Sequence, residues 1–322
     1  MATLKEIAED AGVSIRTVRR VLNEDSHVKP EKEQKVRKVL AKTGYVPNLL
    51  ARGLRNQRTG IIGIILGQLD LEVRTKKFSA IKVELSANGF SSMLGFTDGK
   101  EDIENQLCQQ YTRFCDGIIF LKEPKTSSLK IIKGSKTPFV ISDSYMQTSH
   151  AIAIDRESGI FEAIINQKDN YQNFFFLTNT PGKDEERRTS FAKGIKAIKA
   201  KRSKVIFCSD GSFEGGIKAA EKVKQDKSSL AVCYNDRLAA GLLKGLYLAG
   251  CEVPNEFGII GFDNDSFTEF THKSISTVTQ SVEDLAKKTI QILQQQIEGG
   301  KATKISPVAT KFIPRETTKR SS

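Results

Sequence analysis

The chain has 322 residues, 39% of them hydrophobic and 27% charged, a length beyond one compact domain and a composition ordinary for a globular protein. No tract approaches the roughly 18 consecutive apolar residues that cross a bilayer, so no membrane association is expected. The opening MATLKEIAED lacks a basic-then-apolar signal, which makes a cytoplasmic location the expectation.

The first sixty residues read as short helices. Thr3 and Glu6 have capping-box spacing, and Leu4, Ile7, Ala8 and Ala11 form one apolar face over 4–11 before Gly12 ends the helix. Ser14 caps a second helix in which Val18, Val21 and Leu22 recur at i, i+3 and i+4 while Arg16, Arg19 and Arg20 project elsewhere. A third helix opens at Pro30, turns Val36, Val39 and Leu40 inward, and stops at Gly44. Of the net charge of +12, half lies in residues 1–60, which hold 13 Lys and Arg against 7 Asp and Glu. A helix pair joined by a tight turn, with three arginines on the polar side of its second member, suits the major groove of double-stranded DNA.

Beyond residue 60 short runs rich in Ile, Val and Phe alternate with amphipathic stretches. Strands are expected at 61–66, 117–121, 139–142, 174–177, 205–208, 231–234 and 258–261, and helices near 75–88, 101–114, 156–167, 184–199, 214–225, 236–249 and 282–298. Apolar strands alternating with helices of this length mean βαβ units, hence a parallel α/β body. Periodicity alone leaves open whether seven such units form two open sheets or close as a barrel.

The run LKEIAEDAGVSIRTVRRVLN, followed by HV and then GYVPNLLARGLR, resembles the DNA-binding head and hinge of lactose-repressor/galactose-repressor (LacI/GalR) regulators. The resemblance extends more weakly through CDGII, AVCYNDRLAAGLLKGLYLAGCEVPNEFGIIGFDN and STVTQS. It implies an all-α helix-turn-helix head at 1–46, a hinge helix and linker at 47–59, and a periplasmic-binding-protein-like body at 60–322. That body would have two Rossmann-like lobes, about 60–157 plus 278–322 and about 158–277. In this pattern Ile15, Arg16 and Arg20 choose bases, an arginine being able to hold guanine O6 and N7 together. Ser14, Thr17, Asn23 and His27 match positions that bind phosphates or steady the turn. Arg19 stands where the family usually has serine. The segment 48–55, which includes Asn48, resembles the hinge helix; it is too short to be helical alone in water, with Ala51 allowing two copies to approach and Leu54 wedging into the minor groove.

In the body the resemblance assigns a small polar effector, a sugar or sugar phosphate, to Asp143, Arg187, Asn235, Asp263 and Gln280, at strand ends or helix starts where open α/β sheets bind ligands. Two departures bear on that pocket, and a third reads as a change of surface. GQLDLEV replaces the usual aromatic wall after the first strand, Gly211 stands where an aromatic is usual, and 166–173 lacks the common lead into the next strand.

Enzyme signatures are missing. His27, His150 and His272 have no zinc-helix spacing, there is no G-x-S-x-G elbow, and GSFEGGIK fails as a phosphate loop because Ile217 occupies the lysine position. The five cysteines contain no C-x-x-C pair, so neither a metal nor a disulfide framework is expected, and no cofactor either. The expected molecule is therefore a homodimeric operator-binding regulator modulated by an effector, and not an enzyme; the ending TTKRSS, without a heptad helix, favours a dimer over a tetramer. The competing readings are an α/β sugar- or nucleotide-acting enzyme with a basic N-terminal appendage, and a ligand-independent DNA-binding protein with a decayed pocket.

Overall fold

The computed structural model describes residues 2–22, 27–45, 58–69, 71–145, 148–179, 186–301 and 303–319. It divides into two compact units, 1–60 and 61–322.

The first unit is built on three helices, α1 (Leu4–Asp10), α2 (Ile15–Leu22) and α3 (Pro30–Thr43). Local chemistry sets their ends. Thr3 and Glu6 complete a reciprocal capping box. Gly12, at φ +62°, supplies the left-handed residue that turns the chain. Pro30 opens α3, and Gly44 closes it in the left-handed conformation. Ile7, Ala8, Ala11, Val18, Val21 and Val36 form one buried core.

The second unit holds a single eleven-stranded sheet. In chain order its strands are β1 (Ile61–Leu66), β2 (Ser91–Phe96), β3 (Gly117–Phe120), β4 (Phe139–Ser144), β5 (Ala151–Asp155), β6 (Asn173–Thr178), β7 (Arg202–Phe207), β8 (Ser229–Cys233), β9 (Phe257–Phe262), β10 (Ser276–Gln280) and β11 (Val308–Ile313). Their spatial order is β2-β1-β3-β4-β5-β11-β10-β9-β8-β6-β7, so the sheet is open at β2 and β7 and the barrel alternative is excluded. Every pairing is parallel except β10 with β11.

The helices that cover it are α4 (Glu72–Ala87), α5 (Glu101–Phe114), α6 (Thr126–Ser135), α7 (Arg156–Gln167), α8 (Glu186–Ala197), α9 (Phe213–Val223), α10 (Asp236–Leu248) and α11 (Val282–Ile297). The cores sort into two halves. Ile62, Ile64, Ile119, Val140 and Ile152 pack with Leu285, Ile290 and Leu293 of α11, whereas Phe174, Phe176, Ile260 and Val278 pack with Ile160 and Ile164 of α7. The chain thus leaves the first half at Asp155–Arg156, returns through α11, and crosses again in β11. This last strand joins the halves. Its first residues Val308 and Ala309 pair with Ile154 and Asp155, and Thr310 to Ile313 pair with β10.

Four strands and one helix went unread in the sequence. β2 is an edge strand whose first two residues are exposed serines, β5 and β10 are only five residues long, and β11 carries Lys311 within VATKFI. The helix is α6, a ten-residue segment, TSSLKIIKGS, in which Ser128 and Ile132 are the buried residues.

Candidate functional site

Helices α1 and α2 are joined by the turn at Ala11–Ser14, held by bonds from the Gly12 amide to the Glu9 carbonyl (3.1 Å) and from the Val13 amide to the Ala8 carbonyl (3.0 Å). Ser14 Oγ accepts from the Thr17 amide at 3.2 Å and lies 3.0 Å from the Thr17 hydroxyl, so both side chains hold the start of α2. Val18 and Val21 are buried while Ile15, Arg16, Arg19 and Arg20 are exposed on the same helix. The α2 surface therefore offers three guanidiniums and one apolar side chain, and His27 is exposed nearby in sequence. Asn23, Asn48, Ala51 and Leu54 lie outside the described residues.

In the second unit a cavity of about 670 Å³ opens at the carboxyl ends of the parallel strands, the position at which such sheets bind ligands. Of the five residues the resemblance pointed to, Asp143, Arg187, Asn235 and Asp263 line it. Gln280 does not. It stands behind the wall and donates from Nε2 to Asp263 Oδ1 at 2.9 Å.

Backbone geometry presents the two aspartates. Asp143 sits in a bulge of β4 at φ +65°, and Asp263, just past β9, is at φ +103°. Such conformations are unfavourable for residues other than glycine and persist where the surroundings impose them, commonly at binding sites. The Asp263 amide is held by the Val278 carbonyl at 2.9 Å.

Charge is arranged in two groups. Arg187, the second residue of α8, donates to Asp263 Oδ1 at 3.3 Å and to the Tyr234 carbonyl. Its guanidinium lies 3.9 Å from the Phe262 ring centroid and 4.5 Å from that of Tyr234, a cation–π sandwich that fixes it in place. The other group is a chain of ions: Lys77 of α4 reaches Asp143 Oδ2 at 2.6 Å, Asp143 Oδ1 accepts from Arg156, and Arg156 reaches Glu186 Oε2 at 2.9 Å. Burial opposes ionisation of Asp143, but Lys77 and Arg156 outweigh it and hold the carboxyl below its ordinary range. Asn235 is committed to structure, since Oδ1 caps α10 at the Leu238 amide (2.8 Å) and Nδ2 donates to the Gly211 carbonyl (3.1 Å).

Lys77 and Arg156 were missed in the sequence although signals for both existed. Lys77 occupies the buried stripe Val73, Lys77, Ile81, Leu85 of α4, at strict i+4 spacing. Arg156 opens α7 directly after β5, the same strand-end placement that singled out Asp263.

Comparison with known proteins bears on both units. Residues 3–48 match the bacterial regulatory proteins of the lacI family, and residues 167–318 match the periplasmic binding protein-like domain. The chain belongs to the lacI family. It is 28% identical over 306 residues to catabolite control protein A of Priestia megaterium, covering 90% of this chain and 91% of that protein. Against catabolite control protein A of Staphylococcus xylosus identity is 27% over 307 residues, with 90% and 91% covered. Among solved structures, the lac repressor dimer bound to operator and the anti-inducer ONPF superposes with a TM-score of 0.85 at 21% identity, over 98% of this chain and 99% of that one. A complex of the transcriptional regulator CelR with cellobiose gives 0.68 at 20% identity, over 98% and 100%. At these identities the structural likeness is one of fold, which this lacI-family chain shares over nearly its whole length. No helix among the described residues is long and apolar enough to cross a membrane.

Proposed function

We propose that this lacI-family chain is a cytoplasmic, sequence-specific DNA-binding transcription regulator, a repressor. It binds a near-palindromic operator as a homodimer and is modulated by a small polar effector, a sugar or sugar phosphate. The observation that carries the reading is the match of residues 3–48 to lacI-family regulatory proteins, on a helix pair whose second member exposes Arg16, Arg19 and Arg20.

In this reading residues 1–46 are the head and 47–59 a hinge that becomes helical on the operator, with Asn48, Ala51 and Leu54 at the minor groove. Residues 60–322 are a two-lobed sensor. Ile15, Arg16, Arg19 and Arg20 meet base edges and phosphates, and Ser14, Thr17, Asn23 and His27 set register. The effector enters the cavity lined by Asp143, Arg187, Asn235 and Asp263, with Gln280 supporting Asp263. Two features support dimerisation through the body. Phe213 and Ile217 on α9, and Tyr247 and Leu248 on α10, are exposed on two helices packed together, and the neighbouring Phe270 is 85% exposed. Effector control is a difference in affinity between two states of the dimer; the chain carries no catalytic role.

The test is retention of random genomic fragments by the purified full chain across a salt series, followed by sequencing, with Arg20→Ala and Leu54→Ala alongside. The expected result is tight retention of a few palindromic fragments that both variants lose. Weak, steeply salt-dependent retention of all fragments alike would overturn the proposal.

A further inference from the structure

Lys77 and Arg156 line the cavity and are only 6% and 5% exposed. An ammonium has three N–H donors and a guanidinium five. Among the described residues Lys77 meets one acceptor, Asp143 Oδ2, and Arg156 meets two, on Asp143 and Glu186. Most of the donor capacity of these two buried cations therefore meets no acceptor among the described residues.

The charges point the same way. Two buried cations share Asp143, whose side chain is 18% exposed, while Glu186, the second counter-ion of Arg156, has a side chain 35% exposed. The third buried cation, Arg187, has its own partner in Asp263. Buried charge without full compensation is costly. A neutral sugar offers hydroxyl acceptors but no charge, and of the carboxylates lining the cavity Asp143 already has one cation on each oxygen.

We propose that the cavity takes an anionic small molecule, an organic phosphate or carboxylate, on Lys77 and Arg156, and that Asp143 is the counter-ion holding the two cations together. This rests on the effector reading of the cavity and narrows it. The body of the ligand lies toward Tyr145 and Tyr234, whose rings flank Arg156 and Arg187. Asp143 competes with the ligand for the same donors, so its removal strengthens binding of the anion.

The test uses the full chain with inorganic phosphate as probe, followed by line broadening in 31P NMR and by thermal shift. Sodium chloride at matched ionic strength is the control, and acetate is a second arm that separates phosphate from carboxylate recognition. The proposal expects saturable phosphate or acetate binding to wild type, weakened about tenfold or more in Lys77→Met and Arg156→Gln, the worth of one charge-assisted hydrogen bond. Arg156→Lys keeps the charge and retains binding, which separates a lost site from a lost fold. Asp143→Asn melts lower than wild type without anion, binds the probe about tenfold tighter, and recovers its stability when the probe is added.

An Asp143→Asn variant that binds the anion no tighter than wild type overturns the proposal, as does binding that survives in both Lys77→Met and Arg156→Gln. Saturable binding of neutral monosaccharides without binding of either anion overturns it while leaving the effector reading intact. If neither sugar nor anion binds while operator retention persists, both readings of the cavity fail and the DNA-binding function stands.

Discussion

The contact between α9 and α10 is made through glycine, and Gly241→Ala tests whether that closeness is required. A Cβ built on Gly241 would lie 2.0 Å from the Phe213 carbonyl oxygen and 2.9 Å from Gly216 Cα. Both are backbone atoms, so no rotamer change relieves the clash and one helix must move by about 1 Å. Two effects oppose each other. Alanine favours a helix interior over glycine by about 1 kcal/mol, while overpacking a closed contact costs about 1–3 kcal/mol and more when backbone must shift. Taking the upper end, the variant loses about 2 kcal/mol net, or about 4–8 °C in melting temperature for a unit of this size. Gly134→Ala is the matched control. It lies within α6, a Cβ there meets nothing within 4 Å, and the change is expected to be neutral or stabilising by up to about 1 kcal/mol. Urea titrations of both variants decide the matter, the midpoint reporting stability where the slope is unchanged. A Gly241→Ala protein as stable as wild type, or more so, refutes the reasoning, because helix propensity would then have outweighed packing.

Thr3→Ala removes the cap of α1 and should cost about 1 kcal/mol in the first unit; amide exchange over 3–11 would rise while exchange in 61–319 stays as in wild type. Burial, reinforced by Asp263 and Glu72 and opposed by Lys76 and Arg237, raises the Asp265 carboxyl to about 6. A carboxyl raised on folding stabilises fully below its unfolded value and loses that contribution as pH rises through the folded one, so Asp265→Asn should gain about 2–3 kcal/mol on wild type between about pH 4 and pH 6.5. Parallel urea midpoints across that window measure the gain, and a constant difference would contradict it. Leu248→Asp places a charge on the exposed face of α10, where Leu248 is 65% exposed; the proposed dimerisation through this face expects sedimentation as a dimer for wild type and as a monomer for the variant, with little change in monomer stability.

The first unit was legible because its signals are local. A threonine three residues before a glutamate, a glycine at a turn and a proline at a helix start act within one turn of helix, and the observed ends of α1, α2 and α3 follow them. The buried strands β3, β6, β8 and β9 were legible for a different reason: both faces are covered, so their central residues carry no charged or polar side chain. β11 was not, because Lys311 and Thr310 only make sense once the strand is seen between β5 and β10, where Thr310 Oγ1 donates to the Asp155 carbonyl at 2.6 Å. Lys77 was hidden similarly. A lysine within an apolar stripe reads as a break in the pattern until its partner Asp143, far along the chain, is brought to it.

The strand that completes the sheet is also the one reached after all the others along the chain, although it lies sixth in space. Until it docks, β5 and β10 each present an open row of backbone donors and acceptors, and unpaired edges of this kind are where a partly formed sheet recruits a neighbour. The contacts β11 makes with β5 span about 150 residues of chain, which places them among the slow, high-separation steps of folding. During synthesis every other strand is made before β11, so the middle of the sheet is the last part of it to be supplied.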